Sequence, residues 1–287
     1  MSKPPVFGLS YAPSSYGKTV DVGYAFPNAL FICKTGGTKS ITSVCGFSPA
    51  TLPHTTLDDA TRALHTHGKE FDAIVIDEFD FLVEDTFRAY EKRFSGFKLF
   101  GELRKSILTF RNVARDCGTH VWLTALEKGP KVRDDGRKVR GGPALTGDLP
   151  EKVPAMCDLV LRGSRDPMRK PWPGIYRIDT SSTDWVGKDR DHGTPDPSPM
   201  NIGEICRLNG YELARHPSAP WQEQFVEAIA DEMKAAGAGE DVEVVKKWFA
   251  QLLEKGVSHH FARWTVRDAW DRAVLRRAQA ARQSSFF

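Results

Sequence analysis

Residues Ala12, Pro13, Ser14, Ser15, Tyr16, Gly17, Lys18 and Thr19 run as a small residue, four variable positions and then Gly-Lys-Thr. That spacing can wrap a phosphate chain in backbone N–H groups. It brings the Lys18 amine to the outer phosphates and offers the Thr19 hydroxyl to a Mg2+ ion. The first position is Ala12, where glycine is the commoner residue. A second candidate set lies at Ile74-Val75-Ile76-Asp77-Glu78. Asp77, at the end of an apolar run, can hold Mg2+ through water, and Glu78 can polarise an attacking water. Read without the loop, the same acids would only suit the first turn of a following helix.

These side chains need a strand before the loop, a helix behind it and a second strand alongside. Val6-Phe7-Gly8-Leu9-Ser10 has the composition of a short buried strand. Thr19 to Ala25, with Val20 next to the loop, opens a helix whose positive end faces the same phosphates. Phe71 to Ile76 reads as a strand buried on both faces, as in a parallel sheet. Ala29 to Cys33 is another apolar run, closed by Gly36-Gly37. Residues 57–67 and 97–116 carry helical spacing, the latter through Leu99, Leu103, Ile107, Phe110 and Ala114. Thr119 to Ala125, Asp158 to Arg162 and Gly174 to Asp179 read as further strands. The alternation predicts an α/β fold with a doubly wound, mostly parallel sheet. The run at 29–33 is compatible with the branch of P-loop folds that inserts an extra strand between the loop strand and the acid-bearing strand.

Composition narrows the class. The chain has 287 residues, 40% hydrophobic and 27% charged, with a net charge of +3. That gives no global drive toward polyanions, so any basic surface must be local. The five cysteines (Cys33, Cys45, Cys117, Cys157, Cys206) are scattered without a Cys-x-x-Cys pair, which argues against a disulfide frame or a zinc site. The pairs His65/His67 and His259/His260 lack a carboxylate or Cys partner at ligand spacing. No apolar stretch approaches a membrane span. Met1 to Pro5 leads straight into the first strand without room for a signal peptide, so a cytoplasmic location is expected.

Residues 127–150 form the most distinctive loop. From Lys128 to Arg140 there are six Lys or Arg against two Asp, arranged around an Asp135-Gly136 turn signal. Such a loop can grip a nucleic-acid backbone, or it can be a solvated hairpin. Residues 181–200 are rich in Ser, Asp, Gly and Pro and contain Lys188-Asp189-Arg190, either a surface loop of ordinary charge or cations able to reach a neighbouring subunit. From Pro217 the pattern is helical, with stripes at Trp221/Phe225/Ile229, at Val242/Val245/Phe249/Leu252/Leu253 and at Val266/Trp270/Ala273. Gly237 to Gly239 separate the first two stripes. Trp264 and Trp270, set between arginines, suit core or interface anchors, or base stacking. The expected organisation is a core over residues 1–213 and a helical appendage over 214–287, packed on the core or on another subunit.

The set Ala12 to Thr19, Ile74 to Glu78, Gly142-Pro143-Ala144-Leu145-Thr146-Gly147 followed by Cys157 to Leu161, and Lys188-Asp189-Arg190 resembles phage-encoded RecA-like P-loop ATPases of the single-strand annealing and recombination type, often described as AAA-type nucleotide-binding proteins. The resemblance spans about residues 5–213. It implies ATP hydrolysis with Mg2+, single-stranded DNA as a partner, and assembly into rings or filaments. It places Ala12 to Val20 on the nucleotide, Asp77 with Thr19 at the metal, and Thr124 as a sensor of the γ-phosphate. It also implies that Lys188 and Arg190 act across a subunit boundary. One departure stands out. Where RecA-like proteins commonly carry a catalytic Glu, this chain reads Cys33-Lys34-Thr35-Gly36-Gly37. Either Glu78 orients the water, or the protein chiefly binds ATP as a nucleotide-gated interaction module. A small-molecule or nucleotide kinase also uses such a loop, but no Arg-rich lid is evident beyond 131–140.

Overall fold

The computed structural model describes residues 3–53, 55–132, 134–168, 172–179, 182–213, 219–236 and 241–284. In chain order the first half contains β1 (Phe7–Ala12), α1 (Lys18–Ala25), β2 (Ala29–Cys33), α2 (Lys39–Cys45), β3 (Ala50–Pro53), α3 (Leu57–His67), β4 (Ala73–Ile76), α4 (Phe79–Glu91), α5 (Gly96–Asp116) and β5 (His120–Lys128). There follow β6 (Lys131–Val132), β7 (Lys138–Val139), β8 (Gly142–Pro143), α6 (Leu149–Met156), β9 (Leu159–Arg165), β10 (Gly174–Arg177), β11 (Lys188–Asp189), β12 (Ser198–Pro199) and α7 (Ile202–Leu208). The chain closes with α8 (Ala219–Ala236), α9 (Asp241–Glu254) and α10 (His259–Ser284).

The main sheet has the order β12-β10-β9-β1-β5-β4-β2-β3. The pairs from β9 through β1, β5, β4 and β2 to β3 are all parallel. β10, β11 and β12 extend one side antiparallel, and β8 turns back on the end of β5. The strand lying between β1 and β4 is therefore β5, residues 120–128, while the apolar run at 29–33 sits beyond β4. The central strands are apolar throughout because helices cover both faces. Leu9, Leu30, Ile74 and Leu123 pack with α3, α4 and α5 on one face. Phe31, Val75 and Trp122 pack with Val22 of α1, Ile41 of α2 and Ile205 of α7 on the other. Gly8 is required by close approach. A Cβ there would stand 2.2 Å from the Trp122 ring.

The helices α8, α9 and α10 build their own apolar cluster around Ile229, Met233, Leu252, Val266 and Trp270. Helix α10 also reaches the main body, where Trp264 joins the cluster under α1 and α2. Both tryptophans, Trp264 and Trp270, are buried, so they serve as packing anchors rather than as exposed stacking platforms. The expected helix start at Pro217, the break at Gly237 to Gly239, the side chain of Trp221 and Arg133 of the basic loop lie outside the described residues.

Candidate nucleotide site

All parallel strands end on the same side, which gathers Ala12, Cys33, Asp77, Thr124 and Glu127 at one rim. The loop leaves β1 there and enters α1 through Gly17, whose φ of 89° is left-handed. A Cβ at Gly17 would meet nothing within 4 Å, so backbone freedom rather than space calls for glycine. Ser15 also adopts a positive φ of 63°. The turn is braced from outside by Arg165 at the end of β9. Its Nη2 donates to the Ser15 carbonyl at 3.0 Å, and its guanidinium stands 4.7 Å from the Tyr16 ring centre.

Lys18 curls back over the strand end, its Nζ donating to the carbonyls of Ala12 at 2.9 Å and Pro13 at 3.0 Å. Burial lowers its pKa, opposed by Asp77, Asp80, Glu78 and Glu127. Four carboxylates around one amine make a site short of positive charge, and the amine is the group that a polyphosphate can recruit.

Beneath the loop, Thr19 Oγ1 lies 3.0 and 3.2 Å from the two carboxylate oxygens of Asp77. Thr124 Oγ1 donates to Asp77 Oδ1 at 2.6 Å and accepts the Glu78 N–H at 2.9 Å. Asp77 is buried, and desolvation raises its pKa against the hydrogen bonds from Thr124 and Thr19. Among the described residues no group of three or more His, Cys, Asp or Glu is arranged to hold a metal by itself. A hydroxyl and one carboxylate, both hard oxygen donors at the mouth of a phosphate loop, instead fit Mg2+, which takes few protein ligands and completes its shell with water and phosphate oxygens.

Glu78 follows Asp77 and starts α4 with a φ of 61°. A left-handed glutamate is a strained backbone position of the kind found at functional sites. The end of β2 carries no acid. Lys34 occupies that edge, paired with Asp85 at 3.5 Å and lying 4.8 Å from the Phe81 ring centre.

Three residues of this rim were not singled out from the sequence. Asp80, buried in the first turn of α4, accepts the Leu126 N–H at 3.3 Å. Glu127 extends β5 past Thr124. Burial raises its pKa while Arg162 and Lys18 lower it, and its Oε2 is buried without a hydrogen-bond partner. Arg165 braces the loop as described. An acid three positions after a strand threonine is the only local signal that pointed to Glu127.

Lys188 and Arg190 stand elsewhere. β11 pairs with the beginning of β9, Lys188 opposite Val160, at the edge where Asp158 meets Phe7 of β1. That is the far end of the sheet from the phosphate loop. Lys188 Nζ donates to the Ala155 carbonyl at 2.8 Å. Arg190 pairs with Asp158 at 2.9 Å, and Arg115 holds the other oxygen of the same carboxylate at 2.7 Å. The two cations are thus no part of their own chain's phosphate site. The basic loop does form a hairpin, β6 against β7. It stands just past β5 over a cleft of about 640 Å3 lined by Lys128, Lys131, Arg140 and Pro150 among others.

A phosphate loop between a parallel strand and its helix, with a third strand inserted before the acid-bearing one, defines a P-loop NTPase fold of RecA-like topology. The family model described as an AAA domain matches residues 5–190, and the chain belongs to that family. No curated protein sequence matches it. Among solved structures, a KaiC-like protein from the hyperthermophilic archaeon Pyrococcus horikoshii OT3 is 11% identical with a TM-score of 0.39, covering 61% of this chain and 79% of its own. The RadB recombinase is 16% identical with a TM-score of 0.39, covering 64% and 84%. At such scores the fold assignment rests on the sheet order and the family match. No helix among the described residues is long and apolar enough to cross a membrane.

Proposed function

We propose that this protein is a Mg2+-dependent ATPase that couples its nucleotide state to the handling of single-stranded DNA, as in phage recombination and strand annealing. The observation that carries the ATPase reading is the Thr19–Asp77–Thr124 cluster directly under the Lys18 loop. The backbone amides from Ser14 to Val20 and the Lys18 amine bind and neutralise the phosphates. Thr19 and Asp77 would hold Mg2+, which would supply further positive charge beside the phosphate oxygens. Thr124 fixes Asp77 and the Glu78 backbone together, so that both answer to the same hydroxyl. Glu78 accepts the proton of the attacking water as the new O–P bond forms and the bond to the leaving diphosphate oxygen breaks.

Residues 1–213 serve as the ATPase core and 214–287 as its helical appendage. The basic hairpin at 131–140 contacts the DNA phosphates, a reading its charge and its position next to the nucleotide rim both support. Lys188 and Arg190 reach the nucleotide of a neighbouring copy in a ring or filament. Residues that act across a boundary must stand off their own site, as these do. A second reading is favoured by one observation, the Lys34 edge where an acid would be expected on β2. In that reading ATP binding gates a protein interaction and turnover is incidental. Phosphate release by the purified protein, with and without single-stranded DNA, separates the two. Stimulation by DNA supports the ATPase reading. Binding of ATP without release, with or without DNA, supports the gate.

A further inference from the structure

The first turn of α1 holds a buried acid that phosphate chemistry does not require. Asp21 is buried on the helix that begins with Lys18 and Thr19. Its Oδ2 accepts the Tyr176 hydroxyl at 2.9 Å and the Ile202 N–H at 3.3 Å. Its Oδ1 accepts Arg267 Nη2 of α10 at 3.1 Å, and the same nitrogen donates to the Met200 carbonyl. One turn further along α1, the Tyr24 hydroxyl donates to Asp268 at 2.5 Å, and the Tyr24 ring stands edge-on to Trp264 at 4.2 Å. Helix α10 therefore grips α1 at two successive turns with three neighbouring side chains.

The grip continues outward. Asn201, which caps α7, donates to Asp268 at 2.9 Å and to Asp271 at 3.1 Å. Arg272, only 2% exposed, binds Glu204 of α7 at 2.6 Å and Glu227 of α8 at 2.6 Å. A ladder of buried charge thus runs from the phosphate-loop helix into the three-helix unit. Well-packed apolar side chains often stabilise such an interface at least as well as buried ion pairs do. What ion pairs add is a fixed register, because each removed partner leaves an uncompensated charge. The α1 helix has only eight residues. Any rotation that moves Asp21 also moves Lys18 and Thr19, since Asp21 N–H bonds to the Gly17 carbonyl in the same turn at 2.9 Å.

We propose that Arg267 is a positioning residue of the nucleotide site: through Asp21 it sets the register of the phosphate-loop helix, so that docking of the C-terminal helices and binding of ATP are coupled. Coupling between two sites is reciprocal. A nucleotide that orders Lys18 and Thr19 must also tighten α10, and loosening α10 must weaken the nucleotide. This rests on the reading that the loop binds ATP, and it assigns to residues beyond the family match at 5–190 a part in that binding.

The test uses the full chain with Mg2+ and ATP as the probe. Wild type, Arg267→Met, Arg267→Lys and Tyr24→Phe are compared by ATP titration, turnover and thermal melting, and hydrogen exchange over residues 259–284 is followed in wild type with and without ATP. Arg267→Met is expected to weaken ATP binding roughly tenfold, within the span of measured site-to-site couplings. Arg267→Lys recovers part of that loss, Tyr24→Phe gives a smaller one, and ATP slows exchange across α10. A folded Arg267→Met with wild-type ATP affinity overturns the proposal. So does unchanged α10 exchange on ATP addition, a result that needs no variant to fold. Failure of wild type to bind ATP removes the ATPase reading and this proposal together.

Discussion

Replacing Thr124 by valine changes one hydroxyl for a methyl group at a position that is 1% exposed. The backbone and the side-chain volume stay nearly the same, so the effect isolates two hydrogen bonds. One is charge-assisted, to Asp77 at 2.6 Å, and such bonds contribute about 1.5–3 kcal/mol. The other is accepted from the Glu78 N–H at 2.9 Å, and a buried donor left without a partner costs about 1–3 kcal/mol. Together the loss is about 2.5–6 kcal/mol, which at roughly 2 °C per kcal/mol for a chain of this size lowers the melting temperature by roughly 5–12 °C. Activity falls for a separate reason. Desolvation already raises the Asp77 pKa, and the Thr124 bond is the largest opposing influence. Without it the carboxyl moves further toward its neutral form, which binds Mg2+ poorly. Thr124→Val should therefore melt earlier and require more Mg2+ for half-maximal turnover, while Thr124→Ser keeps both properties near wild type. A melting scan and a Mg2+ titration of ATPase rate measure this. A valine variant with wild-type melting and Mg2+ dependence, or a serine variant as impaired as valine, would refute the reasoning.

Further outcomes follow from the same geometry. Glu78→Gln should keep ATP bound and lower turnover by about a hundredfold or more, the usual worth of a general base; single-turnover kinetics read this directly, and normal turnover would pass the role to Glu127. Charge reversal at Lys131, Lys138 and Arg140 should weaken binding of single-stranded DNA and flatten its salt dependence by about one unit of slope per lost phosphate contact, seen in titrations over a range of salt. Burial and the neighbouring Glu204 raise the Asp268 pKa. A carboxyl raised in the fold holds its proton more tightly folded than unfolded. Its contribution is therefore fully present below the unfolded carboxylate pKa and is lost as pH rises through the folded one. Denaturant melts of Asp268→Asn across about pH 4 to pH 7, the span between the unfolded and folded values, should show a flatter profile than wild type; an identical slope would exclude Asp268 as its source.

The phosphate loop, the Asp77 strand and the helix at 97–116 were legible because each is written in local spacing. A strand, a Gly-Lys-Thr and a helix follow one another without long-range help. Strand order was less accessible. Nothing in the run at 29–33 says that it lies outside β4, or that residues 120–128 fill the gap beside β1, since pairing is decided by the whole sheet. Short elements were missed where their residues argue against them. β3 ends in Pro53 and is largely exposed, and α6 contains Pro154. The residues at 174–179 read as a strand but carry no signal of its direction, and the structure sets Gly174–Arg177 antiparallel against β9. The C-terminal stripes were readable as helices, and burial resolved Trp264 and Trp270 as anchors. The contact between Asp21 and Arg267 was not readable, because its partners stand 246 positions apart and neither belongs to a motif.

The most direct measurement is an equilibrium titration of the purified protein with ATP and Mg2+, run beside Lys18→Ala under the same conditions. Saturable binding by wild type, weakened at least a hundredfold by loss of the amine, is the expected result, a loss comparable to removing a preorganised charge-stabilising group. Absence of binding to the wild-type chain, or equal affinity in the two proteins, would contradict a triphosphate cradle built on Lys18, Thr19 and Asp77.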